Sequence, residues 1–153
     1  MPEFNGSATT RVHARPDEVF NLITDVDRLP DWNACIESVV DQPPSLTTGA
    51  EWVVKMHVSG MPRWDSRSQL VELDRKAGRF VFRSQSDDGN PSFIIWTWEV
   101  SGVDGAAEVT VRWDGHPQTF WRRVLFSRIR HRQLGKEVPT SLEAFAIAVR
   151  QPV

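Results

Sequence analysis

The side chains able to move a proton or hold a charge are scattered through this sequence. Asp65, Arg67, Glu99 and Arg112 each alternate with apolar residues on stretches that read as strands. An acid and an arginine turned into a dry pocket would pair or titrate abnormally, and would polarise a ligand carbonyl. The same alternation equally puts them on a solvent face. His116 stands beside Pro117, just ahead of a helical pattern, where it lies at a cavity mouth or simply in a loop. His13, His57 and His131 show neither HExxH spacing nor a close pair, and His57 shares the polar phase of its strand with Lys55, so no metal site is expected. Cys35 is the only cysteine, which excludes an internal disulfide, a CxxC pair and a multi-thiolate zinc site. With no tyrosine, no phenol serves as a general acid or oxyanion donor. GxSxG, Walker and GxGxxG patterns are absent, and no cofactor is implied.

Seven tryptophans and eight phenylalanines carry more information. Trp52, Trp64, Trp96, Trp98 and Trp113 fall on strand-like stretches, and Trp96 and Trp98, two apart, share one face. Rigid rings on a concave face would line a pocket with apolar walls and an occasional indole donor, suited to a flat hydrophobic ligand. Core packing is the competing account of any one of them. The wall residues singled out are Trp64, Phe82, Trp96, Trp98 and Trp113, with Trp121 and Leu125 from a C-terminal helix.

These residues need elements to hold them. Ala8 to Val12 reads as a strand; Pro16, Asp17 and Glu18 open a helix whose stripe is Val19, Phe20 and Ile23. Leu29 to Trp32 reads as a short second helix or turn with Trp32 inward. Period two then takes over in Ile36 to Val40, Gly49 to Val58, Arg63 to Asp74, Arg79 to Ser84, Phe93 to Val100 and Glu108 to Asp114. Turn signals at Lys76-Ala77-Gly78, Asp87 to Pro91 and Gly102 to Gly105 make the connections hairpins and the sheet antiparallel. From Pro117 to Arg150, Trp121, Leu125, Ile129, Leu134, Val138, Leu142, Phe145 and Val149 follow a helical spacing, kinked or divided near Pro139. A twisted sheet laid across one long helix leaves a cavity between them.

The chain has 153 residues, a common size for one domain, so a single domain over 1–153 is expected. Its 40% hydrophobic and 25% charged fractions disfavour disorder and a membrane span, and the start lacks the basic and apolar regions of a signal peptide, which places it in the cytoplasm. A net charge of -2 argues against nucleic acid as a partner. Residues 115–153 nevertheless hold seven basic residues against two acidic ones. The run Arg122-Arg123 and Arg128 to Arg132 is either the solvated face of the helix or a surface for an anionic headgroup or phosphate. Strand Phe93 to Trp96 is apolar in both phases, so Phe93 and Ile95 face away from the pocket. A homodimer contact, cover by a loop, or an isolated patch would each account for them.

The stretch Thr10-Arg11-Val12-His13-Ala14-Arg15-Pro16-Asp17-Glu18-Val19-Phe20, followed by Asp25-Val26-Asp27-Arg28-Leu29-Pro30-Asp31-Trp32-Asn33, resembles the opening of the polyketide cyclase/dehydrase and lipid-transport superfamily, also called START-like or SRPBCC. Arg15 departs from the alanine usual before that proline. The Gly49 strand, Glu72-Leu73-Asp74, the Trp96 to Glu99 strand and Lys136 to Leu142 extend the likeness over nearly the whole chain. The resemblance implies an α+β helix-grip fold: a curved antiparallel sheet of about seven strands wrapped around a long C-terminal helix, with a short helix pair after the first strand. It implies a hydrophobic cavity for a lipid, fatty acyl chain or polyketide-like aromatic. Family enzymes use scattered pocket residues, so no catalytic position carries over. The expected function is binding or transport of a hydrophobic small molecule, without stable membrane insertion. The alternative is an aromatase/cyclase or dehydratase, which needs at least one of Asp65, Arg67, Glu99, Arg112 or His116 inside the pocket. An interaction module using the outer sheet face or basic helix is the third reading.

Overall fold

The structure is a computed structural model that describes residues 4–58, 60–89 and 91–117 together with Phe145. The expected helix from Pro117 to Arg150, with Trp121, Leu125, the Pro139 break and the basic run, lies outside the described residues apart from Pro117 and Phe145.

Strand β1 (Phe4–Val12) leads into helix α1 (Pro16–Ile23), a 3-10 turn (Val26–Arg28) and the single-turn helix α2 (Leu29–Trp32). Six strands follow: β2 (Ile36–Asp41), β3 (Glu51–Met56), β4 (Trp64–Asp74), β5 (Arg79–Ser86), β6 (Phe93–Val103) and β7 (Ala106–His116). They form one curved antiparallel sheet in the order β1-β7-β6-β5-β4-β3-β2. Successive strands from β2 to β7 are neighbours, as the turn signals require, and β1 returns to pair with β7. The helical elements cross from one sheet edge to the other.

Helix α1 starts where the sequence dictates. Pro16 occupies its first turn with Asp17 and Glu18, Arg15 reaches Glu18 at 2.9 Å, and Thr24 Oγ1 donates to the Phe20 carbonyl at 3.0 Å as the helix stops. Its apolar side packs on β6 and β7. There Val12, Val19, Ile23, Val109 and Val111 are at most 2% exposed. Each such side chain contributes roughly 1.5–3 kcal/mol through burial, and together they make one half of the inner sheet face solid.

Two glycines permit close approaches in this frame. Gly6 on β1 faces Trp113 across the ladder, and a Cβ there would stand 2.3 Å from the indole. Gly78, between β4 and β5, has φ +67°, and its Cβ would meet the Val100 carbonyl at 2.2 Å. That turn is docked on β6, since Val100 N–H donates to the Gly78 carbonyl at 2.8 Å.

Strand β4 departs from simple alternation. A bulge between Leu70 and Glu72 inserts one residue, so Leu70 pairs with Phe82, Leu73 pairs with Phe80, and Val71 is left 48% exposed. Both leucines therefore pack on the core while Glu72 meets Arg79 at 2.9 Å.

The outer face is laced with cross-strand ion pairs. Lys55 meets Asp65 at 3.2 Å, Arg67 bridges Glu51 and Asp87, and Glu99 pairs with Arg112. The forked contact from Arg67 Nε and Nη2 to Asp87, at 2.9 and 3.2 Å, holds the Asp87 carboxyl below the usual carboxylate range. Phe93, expected to face away from the pocket, is instead among the residues that line it, at the end of β6 where its ring is also packed from within the chain. The Arg83 guanidinium lies 3.8 Å from its ring centroid, and the His116 ring stacks on it at 4.7 Å.

Candidate functional site

The other half of the inner face, on β3, β4, β5 and part of β6, is hollow. It forms a partly open cavity of about 360 Å³, within the range of small-molecule sites. Ile23, Val26 and Trp32 close it from the helical side, and Met61, Pro62 and Pro117 stand at its margin.

Register fixes what each level of the wall presents. Phe80 lies opposite Trp98, and Phe82 opposite both Trp96 and Leu70. One step along, Ser84 faces Ser68 and Ile94, and Ser68 faces Trp52. A further step brings Ser86 opposite Ser66, which faces Val54, and Trp64 opposite Met56 ends the series.

The aromatic rings form two contacting groups. Trp52 stacks on Phe80 at 6.1 Å and meets Phe82 at 5.3 Å; Phe82 stacks on Trp96 at 6.3 Å; and Trp96 meets Trp113 at 6.2 Å. At the helical end Trp32 makes edge contacts with Trp98 at 5.4 Å and with the fully buried, helical Phe145 at 5.1 Å. Such pairs contribute about 0.5–1.5 kcal/mol each beyond area burial.

Four of the seven wall residues expected from the sequence, Trp64, Phe82, Trp96 and Trp98, are brought together on this cavity. Trp113 shares their face but does not line it. Its ring settles into the space Gly6 leaves on β1, on the solid side of Trp96. Trp121 and Leu125 lie outside the described residues. Asp65, Arg67, Glu99 and Arg112 all sit on the outer face in ion pairs, and His116, read as a candidate for the cavity mouth, does not line the cavity itself but stands next to it, stacked on the lining residue Phe93 and followed by the lining residue Pro117.

Serines 66, 68, 84 and 86, together with Trp32, Trp52 and Phe80, are wall residues that the sequence reading did not single out. The signal was available: the serines share the phase of Trp64 and Leu70 on β4 and of Phe80 and Phe82 on β5. The charged members of the lining are at the rim. Arg63 is exposed and tied to Glu37 at 2.8 Å, a hydrogen bond that holds the Glu37 carboxyl below its usual range, and Asp88 lies in the exposed β5–β6 turn. Among the described residues no group of three or more His, Cys, Asp or Glu could hold a metal ion, and no helix is long and apolar enough to cross a membrane.

A curved antiparallel sheet whose inner face is half core and half aromatic-walled cavity defines a START-like protein. The chain belongs to the polyketide cyclase / dehydrase and lipid transport family, whose model matches residues 3–147. Solved structures share the fold at low identity. Protein CV1439 from Chromobacterium violaceum superposes with a TM-score of 0.76 at 16% identity, covering 97% of this chain and 98% of its own. TTHA0849 from Thermus thermophilus gives 0.72 at 17%, covering 97% of both chains. Ara h 8.0201 gives 0.72 at 13%, covering 96% of this chain and 97% of its own. No curated protein sequence matches the chain.

Proposed function

We propose that this protein binds or carries a hydrophobic small molecule, of the lipid, fatty acyl or polyketide-like aromatic kind, inside the cavity. The observation that carries this reading is the aromatic run from Trp52 through Phe82 to Trp96 along a hollow of about 360 Å³. A core built for stability alone would fill such space, because cavities in well-packed interiors are destabilising. Trp64, Phe82, Trp96 and Trp98 form the contact wall. In this reading the chain is one cytoplasmic helix-grip domain whose C-terminal helix, bringing Trp121 and Leu125, covers the open side; Phe145 against Trp32 and Trp98 fits such a cover.

The cyclase or dehydratase reading is less well supported. Four of the five groups it relied on, Asp65, Arg67, Glu99 and Arg112, lie on the outer face, His116 borders the cavity without lining it, and the wall among the described residues holds no histidine and one acid, the exposed Asp88. Titration of the intrinsic tryptophan emission with a panel of lipids and polycyclic aromatics tests binding. Saturable changes are expected, with a matching rise in melting temperature. A panel that moves neither signal rejects the proposal.

A further inference from the structure

The cavity wall is not uniformly apolar. Ser66 faces Ser86 and Ser68 faces Ser84 across the β4–β5 ladder, and all four line the cavity. Directly opposed residues place their Cβ atoms about 5 Å apart, and alternate residues of a strand lie about 7 Å apart. The four hydroxyls thus occupy one small rectangle. Apolar residues border this island on most sides, with Trp52 and Val54 on β3, Ile94 on β6, Leu70 and Phe82 at one end and Trp64 at the β4 side of the other, while beyond Ser86 the lining stays polar through Asp88 and Ser92 to the rim.

The β4 side of this island is built into the interior, while Ser84 and Ser86 on β5 are half-buried. Ser68 is 3% exposed and Ser66 9%. Ser84 Oγ accepts a hydrogen bond from Trp96 Nε1 at 3.0 Å, which leaves its own O–H free to donate. Polar groups in a largely apolar wall are normally satisfied, so a cluster of hydroxyls lining a cavity points to an occupant bearing oxygen. The charge of that occupant is set by what is missing nearby. A carboxylate in a desolvated site needs a cation, and Arg63, the only basic lining residue among those described, is exposed and held by Glu37.

Resting on the binding function above, the geometry points to a narrower ligand class: an uncharged, largely apolar molecule with an alcohol or carbonyl oxygen that docks on Ser66, Ser68 and Ser84. The hydrocarbon body lies along Phe82, Trp96 and Trp98. A free fatty carboxylate is discriminated against.

Decane, decanol and decanoate, titrated near neutral pH and read by tryptophan emission and melting temperature, test this. Decanol is expected to bind roughly 5- to 10-fold more tightly than decane, the worth of one neutral hydrogen bond, and more tightly than decanoate. In Ser68→Ala combined with Ser84→Ala the decanol-to-decane ratio should fall to about one by the same reasoning. Ser84→Ala alone, at the half-buried member, repeats the measurement should the double variant fail to fold. Equal affinity for decane and decanol, a ratio unmoved by the substitutions, or preference for decanoate overturns the ligand class while leaving the binding function standing. If none of the three probes moves either signal, the binding function and this inference fall together.

Discussion

Trp96 Nε1 donates a 3.0 Å hydrogen bond to Ser84 Oγ, joining the ring run of the cavity wall to its polar island. The indole is thereby held in one orientation by a partner on the neighbouring strand, and both ends of the contact line the cavity.

Ligand quenching should be divided unequally among the tryptophans. Single Trp→Phe replacements at Trp52 and Trp96 should remove much of the ligand-induced emission change. Trp113→Phe should leave it largely intact, because that ring packs beside Gly6 outside the lining. Parallel fluorescence titrations of the three variants check this.

Ser68→Ala should make the ligand-free protein more stable. Ser68 is 3% exposed, with Trp52 and Ser84 as its cross-strand neighbours, and mutational data place the cost of burying a hydroxyl without a compensating hydrogen bond at about 1–3 kcal/mol. A gain near 1 kcal/mol corresponds to roughly 2–4 °C in melting temperature for a chain of this size. A drop in melting temperature would show that the hydroxyl is well satisfied within the protein.

Gly6→Ala should destabilise the fold by about 1–3 kcal/mol, the usual cost of overpacking. The added methyl would stand 2.3 Å from the Trp113 ring. Trp113→Leu in the same chain should recover part of the loss, and a double-mutant cycle by thermal or urea unfolding measures the coupling.

Acid should loosen the outer face. Hydrogen bonds from Arg67 to Asp87 and from Arg63 to Glu37 hold both carboxyls below their ordinary values. Depressed carboxylates stabilise the fold fully above the unfolded-state range of about 4, and that contribution is lost as pH falls through the lower folded values. Melting temperature should therefore decline below about pH 4, and less steeply in Asp87→Asn. Equal slopes in the two proteins would count against the Arg67–Asp87 contact.

Much of the fold could be read from periodicity because hairpins and capped helices are local. Pro16 with Asp17 and Glu18 marks a helix start by itself, and Trp96 and Trp98 share a face whatever surrounds them. The misreadings were of another kind. Alternation gives the phase of a strand but not which phase faces inward, so Asp65, Arg67, Glu99 and Arg112 stayed ambiguous until the register was known. The bulge after Leu70 reverses that phase with no glycine or proline to announce it. Trp113 belongs to the aromatic set by type and face, yet what removes it from the cavity is the side chain Gly6 lacks, more than a hundred residues away. The island of serines was visible only as two polar interruptions, and becomes a unit when Ser66 meets Ser86 and Ser68 meets Ser84.

The split of the inner face into a solid half and a hollow half separates two inheritances. Val12, Val19, Val109 and Val111 are committed to holding the chain together, and change there costs folding. Trp52, Ser68, Ser84 and Ile94 border empty space, so exchanging them alters what fits with smaller loss of packing. Substitutions in β3 to β6 can therefore reshape the hollow, while β1, α1 and β7 keep the sheet and its helix together.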